Sequence, residues 1–367
     1  MKVIFSKNDL LNGLNIVSKA VASKSTMSIL ECILIDAQDE QVILTANDME
    51  LGIETKFMAH VVESGKTAVE AKLFTEIIRK LPDSQIILEM KNNSIQISCE
   101  NALFKIPCFS TDEFTYLPDI NKEEYIKISQ FTLKDIIRQT IFALSPGDNN
   151  PLMTGELFEV FENQLKVVSL DGHRIAIRTV ILNEVYPYHK VIIPGKVLNE
   201  ISKILNGNRE SQVIIYFTKN HVCFEFDETV VVSRLIEGEY FKIEQMLSAD
   251  YITSIEVNKK NLLSSIERST LLVKESDKKP IILTITNNKM ELVMNSSLGS
   301  MREEIEITQF GNDIQIAFNP RFLIEALKAI DDENITMYTI NAKAPCFIKD
   351  KEESYIYLIL PVNFNTI

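Results

Sequence analysis

Residues 72–90, KLFTEIIRKLPDSQIILEM, decide the fold, because the chain writes the same pattern three times. Leu73, Phe74, Ile77, Ile78 and Leu81 recur at the 3.6-residue spacing of one helix face, with Lys72, Glu76, Arg79 and Lys80 on the other. A break at Pro82-Asp83 then leads into the strand-like run Ile86-Ile87-Leu88. The pattern returns at residues 196–217, KVLNEISKILNGNRESQVIIYF, and at residues 321–340, RFLIEALKAIDDENITMYTI. Each copy opens on a basic residue and places a Glu four positions later, at Glu76, Glu200 and Glu325. The interval of about 125 residues is too long for a solenoid repeat and is the size of a domain.

A second helix signal keeps the same interval. Asp9-Leu-Leu opens one helix, with Leu10, Leu11, Leu14, Val17 and Val21 inward; Asp135-Ile-Ile and Asn261-Leu-Leu open its counterparts. Between the two helices of each copy lie β-patterned runs with polar turns such as Asn287-Asn288, and two further strands follow the second helix. The unit is helix, strands, helix, strands: an α+β domain whose helices pack on one face of an antiparallel sheet. The rhythm pauses at residues 114–124 and 238–250, which divides the chain into three domains, 1–119, 120–247 and 248–367.

With 46% hydrophobic residues the chain has the material for real cores. Its five cysteines are scattered, with no CxxC and no grouping with the four histidines, so neither a metal site nor a disulfide framework is expected, and no cofactor. The opening MKVIF is too short an apolar run for a signal peptide, and residues 355–362 fall far below a membrane span; a cytoplasmic protein is expected.

The net charge of -13 argues at first against nucleic acid. The six predicted helices nevertheless hold fifteen Lys or Arg, Lys274 among them, against six acids. A single such helix needs no explanation beyond solvation; the same excess in all six points to a basic surface on an acidic body. If the helices face a common axis, the protein holds duplex DNA by phosphate attraction without reading sequence.

Function is sought where one copy departs from the others, and the turn Ser169-Leu-Asp-Gly-His-Arg-Ile-Ala176 is such a place. Asp171-Gly172 is an ordinary turn pair, matched by Asn47-Asp48 in the first copy, but Gly172-His173-Arg174 has no counterpart. Three readings follow. One is a hydrolase using Asp171 and His173, which would need a nucleophile the sequence does not display. Another is a three-domain scaffold without nucleic acid. The third is a DNA-holding protein with a partner site at this turn and at the apolar end of the chain, residues 355–367.

The chain resembles the bacterial DNA polymerase III beta subunit, the replicative sliding clamp. The resemblance rests on residues 24–30 (KSTMSIL), 47–51 (NDMEL), 114–118 (FTYLP), 171–176 (DGHRIA), Phe318-Asn-Pro and 358–362 (LILPV). It implies a non-catalytic clamp: a head-to-tail homodimer closing a ring of clamp-fold domains around duplex DNA. The ring would tether the polymerase III catalytic subunit, the clamp loader, other polymerases and repair proteins through short linear motifs. By that likeness the partner-peptide pocket would be lined by Met153, Leu170, Gly172, His173, Arg174, Ile175, Phe241, Gln245, Met246, Leu358, Ile359, Leu360, Pro361 and Val362. Lys24, Arg79, Lys80, Arg138, Lys196 and Lys203 would face DNA, and the dimer junction would use Lys72, Phe104, Ile106, Leu271, Leu272, Glu303 and Glu304. Phe241 and Asn363 depart from the family pattern, where Pro and Arg are frequent.

Overall fold

A computed structural model describes residues 1–147, 150–247, 251–273 and 279–364. Lys274 and Asp250, used above in the charge count and the second junction, lie outside the described residues. Among the described residues there are seven α-helices: α1 (Lys7–Val17), α2 (Ala71–Lys80), α3 (Gln130–Thr140), α4 (Gly195–Ile204), α5 (Glu244–Leu247), α6 (Lys259–Thr270) and α7 (Pro320–Ala329). Six are those expected from the repeat. The short α5 falls in the stretch read from sequence as a linker; four residues are too few to display a helical period.

Local chemistry starts the helices. In each copy the first helix leaves a strand through a polar cap: Ser6 Oγ accepts from Asp9 N at 3.2 Å, Ser129 Oγ from Thr132 N at 3.0 Å, and Asn258 Oδ1 from Asn261 N at 3.1 Å. Glu70 caps α2 by accepting from Lys72 N and Leu73 N, and Asn319 caps α7 with Pro320 in its first turn. The apolar stripes bury as the spacing requires, with two corrections. Leu73 is 45% exposed, because it sits at the edge of the α2 stripe, and Leu11 and Val21 are only half-buried.

The strands form antiparallel sheets. The chain packs as two compact units, residues 1–134 with 200–235, and residues 135–199 with 236–367. In the first unit an eight-stranded sheet runs without a break from the middle copy into the first, where Thr229–Arg234 pairs with Leu51–Met58. In the second unit a seven-stranded sheet joins the middle copy to the third, where Arg174–Pro194 pairs with Tyr355–Ile359. Backbone ladders thus cross both expected domain junctions, which is why the compact units cut through the middle copy.

Each unit has a second sheet as well, of five strands in the first and four in the second. The helix pair meets strands of both: α6 touches Thr253–Asn258 of the seven-stranded sheet, and Lys289–Ser296 and Gly299–Glu306 of the four-stranded one. The expectation of one covered sheet face is corrected accordingly. After the second helix each copy has three strands rather than two. In the first copy the overlooked strand is Ser94–Cys99, entered through Asn92 and Asn93 at positive φ, where a two-residue turn hides the break.

Candidate functional site

The turn at residues 171–174 is built by its own aspartate. Asp171 Oδ1 accepts from His173 N at 3.0 Å, Asp171 N donates to Arg174 O at 3.3 Å, and Gly172 takes φ +83° at the corner, a conformation that favours glycine. Asp171 Oδ2 accepts from Arg174 Nε at 3.0 Å. Arg174 is 5% exposed; its remaining donors reach Glu325 on α7 and the Phe142 carbonyl, and its guanidinium lies 4.4 Å from the centre of the Phe322 ring. Both oxygens of Asp171 are therefore engaged by the turn and by Arg174, while the His173 ring leans toward Phe322. The acid/base pair that a hydrolase would need is not formed.

Beside this turn the chain end is held in place. Leu360 N donates to His173 O at 2.9 Å and Val362 N to Ala317 O at 2.8 Å. Turn, tail and the residues around α5 enclose a cavity of about 510 Å³. It gathers Met153, Leu170, Gly172, His173, Arg174, Ile175, Phe241, Gln245, Met246, Leu358 and Leu360 of the expected pocket. Ile359, Pro361 and Val362 do not line it. Ile359 alternates to the opposite sheet face, where it packs in the core of the second unit, while Leu358 faces the cavity. Four further lining residues were missed: Ile243, Ile340, Pro345 and Phe347. Phe347 pairs with Leu358 in the sheet, so its side chain shares that face, a signal available only once register is known. The cavity is apolar with a few polar groups at its rim, the make-up of a site for a short peptide.

The basic helical surface is more divided than the count of charges suggested. Three lysines of the first helices cap the second helices. Lys7 Nζ donates to Leu81 O, Lys134 Nζ to Leu205 O at 3.0 Å, and Lys259 Nζ to Ile330 O at 2.6 Å. Each ammonium sits at the negative end of a helix dipole. Arg138 is bound by Asp135 and Asp331 and donates to Ala329 O at 3.1 Å, so its charge is balanced within the chain. Lys203 pairs with Glu200 at 2.7 Å, and Lys19 approaches the same carboxylate at 3.8 Å. Arg79 and Lys203, together with Lys19 and Lys72, line a trough of about 960 Å³ in the first unit. Lys24, Lys80 and Lys196 are exposed.

Four of the seven expected junction residues lie on two edge strands, Lys72 is on α2, and Leu271 and Leu272 follow α6. Phe104, 41% exposed, is on Ala102–Pro107, the outer strand of the five-stranded sheet; Glu303 and Glu304 are on Gly299–Glu306, the outer strand of the four-stranded sheet. Leu271 is 78% exposed just after α6, Leu272 is half-buried, and Ile106 is buried. Glu303 is already held by Arg268, with Ser265 at 2.7 Å; the Arg268 hydrogen bond is the main reason its carboxyl is held below the usual range. Glu304 pairs with Lys289 at 2.6 Å. The resemblance would pair Lys72 of one copy with Glu303 and Glu304 of the other, where it would have to compete with these partners. Among the described residues no helix is long and apolar enough to cross a membrane, and no group of three or more metal-ligating side chains occurs.

Comparison with known proteins places these features in a family. Models of the DNA polymerase III beta subunit match in order: its N-terminal domain at residues 1–118, its central domain at residues 127–242 and its C-terminal domain at residues 244–363. The chain is 31% identical to a beta sliding clamp of Staphylococcus epidermidis and 30% identical to that of Staphylococcus aureus, over 99% of each chain. Among solved structures, a putative DNA polymerase III beta subunit from Eubacterium rectale is 57% identical, with a TM-score of 0.96 over 99% of this chain and 100% of that one. The DNA polymerase sliding clamp of Bacillus subtilis is 32% identical, with a TM-score of 0.96 over 100% of both chains.

Proposed function

The chain belongs to the DNA polymerase III beta-subunit family of sliding clamps, and from that premise we propose that two copies join head to tail into a ring that encircles duplex DNA and tethers a polymerase to it. The family is non-catalytic: it confers processivity and carries out no chemistry. The observation that carries the reading is the ordered match of all three family domains along this one chain. It supports a division near 1–119, 120–247 and 248–367, with the middle domain sharing a sheet with each neighbour.

Three surfaces do the work in this reading. The trough, which also holds Glu31, Glu70 and Glu76, offers phosphate contacts through Lys72 and Arg79, with Lys19 and Lys203 shared with Glu200; such contacts are individually weak and blind to sequence, so the duplex slides. Lys24, Lys80 and Lys196 are further DNA-facing cations in this reading, and Arg138 contributes little net charge. The edge strands bearing Phe104 and Glu303-Glu304 pair between copies, with Leu271 covered in the junction, which removes two exposed sheet edges at once. The groove beside His173 receives the linear motifs of the polymerase catalytic subunit, the clamp loader and repair proteins in turn, in the cytoplasm.

Primer extension tests the groove directly. Met246 is 55% exposed at its rim, so Met246→Asp places a charge where an apolar side chain should dock without disturbing the core. The expected result is at least a tenfold loss of processive synthesis with an unchanged dimer mass by sedimentation; full processivity would remove the groove from the mechanism.

A further inference from the structure

The backbone that forms the groove beside His173 is written a second time, in the first unit, with different side chains. Arg174 pairs with Ile359 and Ile175 with Leu358; in the first unit Leu51 and Gly52 pair with Ser233 and Val232 in the same register. Leu360 N donates to His173 O at 2.9 Å, and Arg234 N donates to Glu50 O at 3.0 Å. Asp171 Oδ1 accepts from His173 N at 3.0 Å, and Asp48 Oδ1 accepts from Glu50 N at 3.0 Å, so the counterpart of Asp171-Gly172 is Asp48-Met49, one residue on from the Asn47-Asp48 match expected from sequence. Even the corner repeats, with Met49 at φ +76° where the other turn has Gly172 at +83°. This second site encloses a cavity of about 240 Å³.

Its walls have another chemistry. Arg234 stands at the register position of Leu360, and Glu50 at that of His173. His221 pairs with Arg234 as Pro345 would pair with Leu360 if the neighbouring ladder ran one step further. The Arg234 side chain has no acidic or hydrogen-bonding partner among the described residues. Burial, with Arg234 beside it, pushes the His221 imidazole below its ordinary range, so at neutral pH the histidine leaves Arg234 as the cation on that wall. Met49, 46% exposed, and Tyr116, 52% exposed, supply an apolar rim, and Asn47 is occupied in holding the carbonyls of Thr115 and Tyr116.

We propose that this cavity is a second peptide site, selective for an extended segment that places an acidic side chain on Arg234 and an aromatic side chain between Met49 and Tyr116. The proposal rests on the reading of the His173 groove as a peptide site, since the shared backbone is the argument for a shared mode of binding. A planar guanidinium recognises a carboxylate bidentately, which gives the second site a preference the apolar groove lacks.

Methyl NMR of the intact protein, labelled at its methionines, separates the two sites, because Met49 reports on the second and Met246 on the first. The probe is the capped tetrapeptide acetyl-Gly-Asp-Tyr-Gly-amide, with its Asn analogue as control. The expected result is a saturable shift of the Met49 methyl, weakened about tenfold or more by the Asn analogue and by Arg234→Ala. The response of Met246 to the same peptide should be unchanged in Arg234→Ala. A Met49 signal that stays still at millimolar peptide, or that shifts equally in Arg234→Ala, overturns the second site. A still Met246 bears on the first groove and not on this one.

Discussion

Glu156 is fully buried, and neither of its carboxylate oxygens has a hydrogen-bond partner among the described residues. Burial pushes its carboxyl up to about 8, the nearby Thr140 hydroxyl offsetting only part of that. The folded chain then keeps a proton that the unfolded chain releases near pH 4.5. The contribution of Glu156 to stability is therefore greatest below that pH and falls as pH rises toward 8, by at most about 1.4 kcal/mol per pH unit, levelling off above. Glu156→Gln should flatten the slope, as read from urea unfolding at a series of pH values; an equal slope in both proteins would contradict it. Arg174 is a second case. Its removal takes the guanidinium from the partly buried Asp171 and Glu325, which keep only His173 N and Arg321 among the described residues, and Arg174→Ala should cost about 3 kcal/mol by the same unfolding measurement. The turn at Asp171-Gly172 was legible in the sequence because its hydrogen bonds are local. The role of Arg174 as an anchor was not, because Glu325 and Phe142 lie 151 and 32 residues away.

Elements follow the same division between local and distant causes. The six long helices could be read because stripe, cap and repeat agree within a few residues, as at Ser6, Asn258 and Asn319. The strand order could not, since the ladder between Thr229–Arg234 and Leu51–Met58 joins segments far apart in the chain. Nor did composition distinguish a lysine that caps a helix from one that faces solvent, which is why the count of basic residues overstated the free charge. That distinction is testable. Lys259→Ala removes a cap on α7 and should lower stability by about 1 kcal/mol while leaving DNA retention intact. Arg79→Glu, on an exposed helical position lining the trough, should do the reverse: little change in unfolding, and several-fold weaker loading onto DNA. If both substitutions affected DNA retention equally, the assignment of caps would fail.

At the scale of the molecule, a chain of net charge -13 can hold DNA only if its cations are gathered and its grip does not depend on affinity. Equilibrium binding to short open-ended duplex should accordingly be weak and fall steeply with salt, whereas a closed ring on circular DNA should resist the same salt. The edge strands carrying Phe104 and Glu303 support closure by a second copy, and family membership supports the ring. The most direct test is retention: load the protein onto nicked circular duplex with a clamp loader, isolate the complex at raised salt, and cut the circle once. The account predicts that the protein stays on the intact circle and leaves within the time of cutting once the DNA is linear. Equal retention on the circle and on the linear product would contradict it, because the hold would then be affinity and not topology.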